Sequence, residues 1–446
     1  MSAYVMDSQL FGDQFSTAEM REIFSDRMTV QKWLDVEAAL SRAEAEAGII
    51  PVEAADEILR VADADLYDLT AMKDEMDRTS HPIIPLVRAM DEKCRGSHGG
   101  YVHWGATTQD IMDTGQILQI KEAWSVIRCD VEKLVDVLTV LAESHKTTIM
   151  AGRTHGQQAQ PITFGYKVAV WLDELRRHQD RMSSASERLF VGQFSGAVGS
   201  MAALGVSGLV IQGRMMELLE LKQPTICWHV ARDTMAEAAA VLAMLTGSIG
   251  KIAHEIFMLQ KSEIAELEEP MPAGKVGSST MPHKRNPAIC ETIVALARVA
   301  KGCLIQAYEN LIAEHERDKI GLQAEREYVS RLHALTHSAV RKMILVSTAL
   351  NVHPENMRRN LEITEGLLLS EAVMMALAPI MGRQEAHEVI YNIVQKAAID
   401  GVGMKDSLLA SSDVTSKLNE MEIENILDPT VYTGLCEHFV DRVLKS

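Results

Sequence analysis

Three short segments concentrate residue types that could hold a carboxylate and move a proton. The first is His103-Trp-Gly-Ala-Thr-Thr-Gln-Asp110. Its hydroxyl residues Thr107 and Thr108 precede a long apolar-periodic stretch, so the segment offers a helix N-cap and free backbone N–H groups, a natural carboxylate site. The second, Gly152-Arg-Thr-His-Gly-Gln-Gln158, crowds His155, Arg153 and Gln157 into a few residues. An imidazole with an ordinary pKa of about 6.5 can give or take a proton near neutrality. A single histidine serves equally well as a hydrogen-bonded structural residue. The third, Gly277-Ser-Ser-Thr-Met-Pro-His-Lys-Arg-Asn-Pro287, is a glycine-flanked loop carrying Ser278 and Ser279, followed by Lys284, Arg285 and Asn286. Such a set of donors can bind and polarise a carboxylate.

Long helices must position these segments. Ile120, Trp124, Ile127, Val131, Leu134, Leu138 and Leu141 are spaced alternately four and three apart, which places one apolar stripe along about six helical turns. Phe164, Val168, Trp171, Leu172 and Leu175 repeat the pattern. A third helix is expected from about Asp233 to Leu267, with Leu242, Leu245, Ile249, Ile252 and Ile256 inward, and a fourth over about Ala288 to Leu311. No proline occurs between Pro85 and Pro161 or between Pro287 and Pro354, and proline-free stretches rich in Ala, Leu, Glu and Met favour long helices. The fold class expected is all-α, with an N-terminal helical domain over 1–109, a central long-helix bundle over 110–357 and a C-terminal helical domain over 358–446.

The bulk numbers narrow the function. The chain has 446 residues and a formal charge of −18, which disfavours nucleic acid and anionic membranes as partners because both need a basic face. Small anionic substrates need only a local cluster of donors. Six scattered cysteines without a CxxC pair read as free thiols of a reducing, cytoplasmic compartment. Neither a secretory leader nor an uninterrupted apolar run of membrane-spanning length is visible. No metal-ligand cluster or dinucleotide fingerprint is visible either, so the chain is expected to need neither metal nor cofactor.

GSSTMPHKRNP (Gly277–Pro287) resembles the signature of the aspartase/fumarase superfamily. HWGATTQDIMDT (His103–Thr114) and GRTHGQQAQPITFG (Gly152–Gly165) look like that superfamily's other two shared regions, and the resemblance covers nearly the whole chain. It implies homotetramers with a twenty-helix core and active sites drawn from three subunits. The implied chemistry is elimination across a succinyl unit. Ser278 would be the base, His155 the general acid oriented by Glu291, and Lys284 and Asn286 would hold the carboxylate on which charge develops. His81, His103, Thr107, Thr108, Gln157, Ser279, Arg317 and Arg326 would contact a di- or tricarboxylate substrate. Gly274–Gly277 would be the hinge of a lid.

Two branches compete. His155 stands where the carboxymuconate cycloisomerase pattern has Trp, and His81 falls where adenylosuccinate lyases place a substrate-contacting histidine. Leu322 and Ala231 stand where those lyases place a phosphate-binding Ser and a Gln, whereas Phe194–Gly205 looks more like the cycloisomerase branch. The expected activity is therefore an adenylosuccinate-lyase-like C–N lyase that splits an N-succinyl compound into fumarate and an amine; the alternative is a 3-carboxy-cis,cis-muconate cycloisomerase.

Overall fold

The structure, a computed structural model, describes residues 4–271, 274 and 276–446. Among the described residues, nineteen α-helices dominate, joined by five short 3-10 segments and two antiparallel two-stranded ribbons. The all-α expectation holds, and the ribbons are additions to it. The chain forms two compact units, one of residues 1–131, 178–249 and 295–341, the other of 132–177, 250–294 and 342–446.

In the first unit, helix Asp26–Glu46 starts where the Ser25 side chain accepts from the Met28 N–H. Val30 and Leu34 pack there with Ile58, Val61, Leu86 and Met90. Ile120, Trp124, Ile127 and Val131 of helix Thr108–Ser144 are fully buried, as their spacing requires. In the second unit, Phe164, Val168, Leu172 and Leu175 of helix Phe164–Leu189 are likewise buried. A separate core gathers Val373, Leu377, Ile390, Met404 and Leu408 near the C-terminus.

The third expected helix is shorter than its apolar pattern suggests. It spans Asp233–Leu259 rather than reaching Leu267. The Glu266 N–H turns back to the Leu259 carbonyl, Ala265 takes a left-handed φ of 50°, and Leu267–Glu268 pairs with Asn351–Val352. This helix is apolar and long enough to cross a membrane, but it is mostly buried inside the protein, as a core helix is. The fourth helix, Ala288–Glu309, and a further one, Lys319–Thr348, occupy the second proline gap.

Candidate active site

His155 sits at the tip of a hairpin that the helical reading did not anticipate. Strand Ile149–Thr154 pairs with Gln157–Thr163, and the two-residue turn between them is His155-Gly156, with φ of 53° and 76°. Two left-handed residues in succession match the twist of the flanking strands. For histidine that conformation is strained, and such strain collects at functional positions. His155 and Gln157 are both exposed there.

Just below its tip the hairpin is bolted down by a buried carboxylate. Arg153 donates two hydrogen bonds to Glu266, at 2.9 and 2.6 Å, and Asn360 Nδ2 donates a third at 2.8 Å. Gln158 Nε2 closes the set on the Asn360 carbonyl at 2.7 Å. Arg153, whose place in the second polar segment suggests a substrate cation, is thus neutralised by Glu266, a carboxylate with no exposed surface.

The signature loop closes on itself. Glu269, buried, accepts from the backbone N–H groups of Ile289 and Cys290 at 3.1 and 2.9 Å and so caps helix Ala288–Glu309. Gln260 accepts from the Glu269 N–H and donates to the Arg285 carbonyl. Within the loop a side chain at Gly277 would place Cβ 2.2 Å from the Lys284 carbonyl oxygen, so only glycine permits this turn. Ser278 Oγ accepts from the N–H of Met281 at 3.0 Å and of Thr280 at 3.3 Å. Lys284 and Ser279 are exposed and Asn286 is half-buried, whereas Arg285 is paired with Glu268 at 2.5 Å. The expected hinge, Gly274–Gly277, includes Lys275, which lies outside the described residues. Glu291, in the first turn of helix Ala288–Glu309, is exposed and makes no hydrogen bond to His155 within one chain.

The first unit carries a cationic cavity of about 150 Å³, lined by His81, Thr108, Arg317, Lys319, Gln323 and Arg326 together with Pro82, Met112 and Leu322. Arg317 donates to Thr107 Oγ1 at 2.7 Å and to the Ala197 carbonyl, Lys319 to the Ser80 carbonyl, and Arg326 to Gln323 Oε1. Among the described residues none of these three cations is paired with a carboxylate, in a chain with 62 acidic residues. Three cations without counter-ions around one cavity are a set of donors that can hold an anion. Lys319 was not singled out from sequence; the only signal for it is its place between Arg317 and Arg326.

His81 has its tautomer set by its neighbours. Nδ1 accepts from the Ile84 N–H at 3.3 Å, so the single proton of neutral imidazole lies on Nε2, which faces Thr108 Oγ1 at 3.1 Å. Partial burial, reinforced by the charges of Lys319 and His103, holds its pKa below the usual histidine value. His103 does not line the cavity. Its Nδ1 lies 2.6 Å from Glu37 Oε1, because a buried carboxylate requires a cation. Burial opposes its charge, but the Glu37 carboxylate outweighs that and raises its pKa. Asp110, also missed as a site residue, fixes the start of helix Thr108–Ser144. It accepts from the N–H groups of Thr107, Ser195 and Gly196 at 2.9–3.0 Å.

A serine held by backbone N–H groups in one loop, an exposed histidine on a tight turn and a cationic cavity are features that a lyase acting on carboxylates can use, and comparison with known proteins gives that class. Residues 14–302 match the family model described as Lyase, and residues 366–443 match Adenylosuccinate lyase C-terminus. The chain is 40% identical over 446 residues to N-acetyl-S-(2-succino)cysteine lyase of Enterococcus italicus, covering 100% of this chain and 98% of that one. It is 40% identical over 436 residues to adenylosuccinate lyase of Methanocaldococcus jannaschii, covering 97% and 94%. Among solved structures, 3-carboxy-cis,cis-muconate lactonizing enzyme from Pseudomonas putida superposes with a TM-score of 0.93 at 38% identity, covering 98% of each chain. The chain belongs to the fumarase/aspartase superfamily, in the branch that holds the adenylosuccinate lyases and carboxymuconate cycloisomerases.

Proposed function

We propose that the chain is a fumarate-releasing lyase that breaks the bond between a succinyl carbon and a heteroatom, adenylosuccinate-lyase-like, with nitrogen as that atom and an amine as product. The observation that carries this reading is Ser278. A serine hydroxyl is a poor base unless its oxyanion is stabilised, and Oγ already accepts two backbone N–H groups. In the proposed reaction Ser278 takes the proton from the carbon beside a carboxylate. Lys284, Asn286 and the hydroxyls of Ser279, Thr107 and Thr108 hold the resulting dianion, with Gln157. The electron pair then expels the heteroatom, which takes a proton from His155.

His155 and Glu291 remain apart within one chain, in keeping with sites shared among the subunits of a homotetramer, the assembly proposed for this protein in the cytoplasm. The three-domain division at 1–109, 110–357 and 358–446 is part of the same proposal. Sulfur is a second version of the leaving atom, favoured by the 40% identity to an N-acetyl-S-(2-succino)cysteine lyase. Leu322 on the cavity wall weighs against AMP as leaving group, since an unpartnered phosphate is costly to bury. A cycloisomerase remains the alternative, and His155 in place of that branch's Trp counts against it.

The test offers purified protein N-substituted aspartates, adenylosuccinate, N-acetyl-S-(2-succino)cysteine and carboxymuconate, and follows fumarate or diene absorbance. Fumarate from a nitrogen- or sulfur-linked succinate is the expected result. Turnover of carboxymuconate alone would overturn the proposal.

A further inference from the structure

One face of helix Thr108–Ser144 carries three glutamines with the same hydrogen-bonding habit. Gln109, Gln116 and Gln119 are seven and three residues apart, so they share a side of the helix with Met112. Each uses its amide nitrogen on the protein. Gln109 Nε2 donates to Asp113 Oδ2 at 3.0 Å and to the His229 carbonyl at 2.8 Å. Gln116 Nε2 donates to Glu325 Oε2 at 3.4 Å, and Gln119 Nε2 to the Ile23 carbonyl at 2.8 Å and Thr29 Oγ1 at 3.1 Å. Carbonyls and carboxylates only accept, so these partners settle which end of each amide is nitrogen. Among the described residues the three Oε1 atoms accept no hydrogen bond, although Gln109 is 1% exposed and Gln119 6%.

These glutamines line two cavities that meet. Gln109 is on the wall of the cationic cavity, and Gln116 and Gln119 are on the wall of a larger one of about 320 Å³, which shares Met112, Leu322 and Arg326 with it. Phe24, Trp33, Met76 and Val329 add to the apolar surface of the larger cavity. Its charged lining is Asp26, Asp113 and Glu325 against one cation, Arg326. Asp113 and Glu325 also share the guanidinium of buried Arg232. The larger cavity therefore offers apolar surface and acceptors, with its one lining cation where the two cavities meet. An occupant must bring N–H donors of its own. A phosphate brings acceptor oxygens and negative charge, and would meet three carboxylates and two amide carbonyls against a single guanidinium.

We infer that the larger cavity holds the leaving group of the proposed elimination, and that this group is an amino acid, with its carboxylate on Arg326 and its ammonium or amide N–H on the Gln116 and Gln119 carbonyls. The inference rests on the fumarate-releasing reading and adds to it which leaving groups are accepted. Arg326 donates to Gln323 Oε1 and has further N–H groups for a carboxylate. Gln116 and Gln119 then set specificity, because a leaving group without an N–H leaves their carbonyls unpaired.

The whole protein is tested on pairs of substrates that differ in the N–H-bearing substituent, with fumarate absorbance as the readout. One pair is N-acetyl-S-(2-succino)cysteine and S-(2-succino)mercaptopropionate, and the other is Nε-(2-succino)lysine and N-(2-succino)aminohexanoate. S-(2-succino)cysteine, with its free ammonium, separates ammonium from amide as the donor, and adenylosuccinate supplies the phosphate. A buried carbonyl left unpaired lowers kcat/KM about tenfold or more, so the N–H-bearing member of a pair should exceed its congener by at least that ratio. Gln116→Met keeps the length of the side chain and removes the acceptor, and it should narrow the ratio about two- to tenfold. Adenylosuccinate should be the poorest substrate. Equal kcat/KM within both pairs, or a preference for adenylosuccinate, would overturn the inference and leave the lyase reading in place, a result read on the unaltered protein. No fumarate from any of these compounds would overturn that reading and the inference with it.

Discussion

His81 Nε2 lies 3.1 Å from Thr108 Oγ1, and the proton between them belongs to the histidine, because Nδ1 is already an acceptor for the Ile84 N–H. Thr108 therefore accepts from His81 and keeps its own O–H free to donate to a substrate carboxylate. Protonating His81 would put a second N–H against that of Ile84 and break this order. Because the folded pKa lies below the usual histidine value, the neutral form persists beneath pH 6.5. Activity should rise with pH through an inflection below about 6.5 and then level. His81→Gln should remove that inflection and lower kcat/KM about tenfold. A pH–rate profile of both proteins checks this, and an inflection unchanged in the variant would assign it to another group.

Ser278→Ala should reduce elimination by about 10²–10⁴-fold, the range for a lost general base. Circular dichroism should remain unchanged, because Glu269 and Gln260 hold both ends of the loop and Ser278 bonds only two N–H groups within it. Retention of most of the activity would remove Ser278 as the base.

Lys319→Met takes one of three unpaired cations from the cavity. A hydrogen bond to a charged group contributes about 1.5–3 kcal/mol, so KM for a substrate whose leaving group is anionic should rise about tenfold or more. For one with a neutral leaving group it should change little. Parallel steady-state measurements on the two substrates show whether Lys319 reads the leaving group.

The long helices were legible because their apolar residues recur at helical spacing and are buried where that spacing puts them, as at Trp124 and Leu245. The signature loop was legible as chemistry because its donors are adjacent in the chain. Pairings across long stretches were not. Arg153 looked free because its partner Glu266 is 113 residues away, and His103 looked available because Glu37 is 66 residues away. The hairpin was hidden in a polar segment whose one turn signal, His155-Gly156, uses a residue that rarely adopts a left-handed φ.

Arg153→Met tests the first of those pairings. It leaves Glu266 with no exposed surface and no cation, and an uncompensated buried charge costs about 3–5 kcal/mol. Urea unfolding should show that loss at neutral pH. Replacing both residues, Arg153→Met with Glu266→Leu, should recover part of it. No recovery would mean that the hydrogen bonds to Asn360, rather than the charge, hold the hairpin.

Glu44 is the opposite case, a buried carboxyl that no cation among the described residues pairs with. Neither of its oxygens has a hydrogen-bond partner, and burial, with the Glu37 charge on the same helix, pushes its pKa up to about 9. The folded chain therefore keeps the proton that the unfolded chain releases above pH 4–5. Where the folded state binds more protons, stability falls as pH rises, so this group is neutral in effect at pH 4 and increasingly unfavourable up to about pH 9. Glu44→Gln has nearly the same shape and cannot ionise. It should be close to neutral at pH 4.5 and stabilising by roughly 5 kcal/mol at pH 8, since about 3.5 pH units lie between the ordinary carboxyl pKa and pH 8 and each corresponds to about 1.4 kcal/mol. Urea titrations of both proteins at the two pH values measure the difference. A gain that is the same at both would mean that Glu44 is not held neutral, and that a counter-charge reaches it when the chain folds.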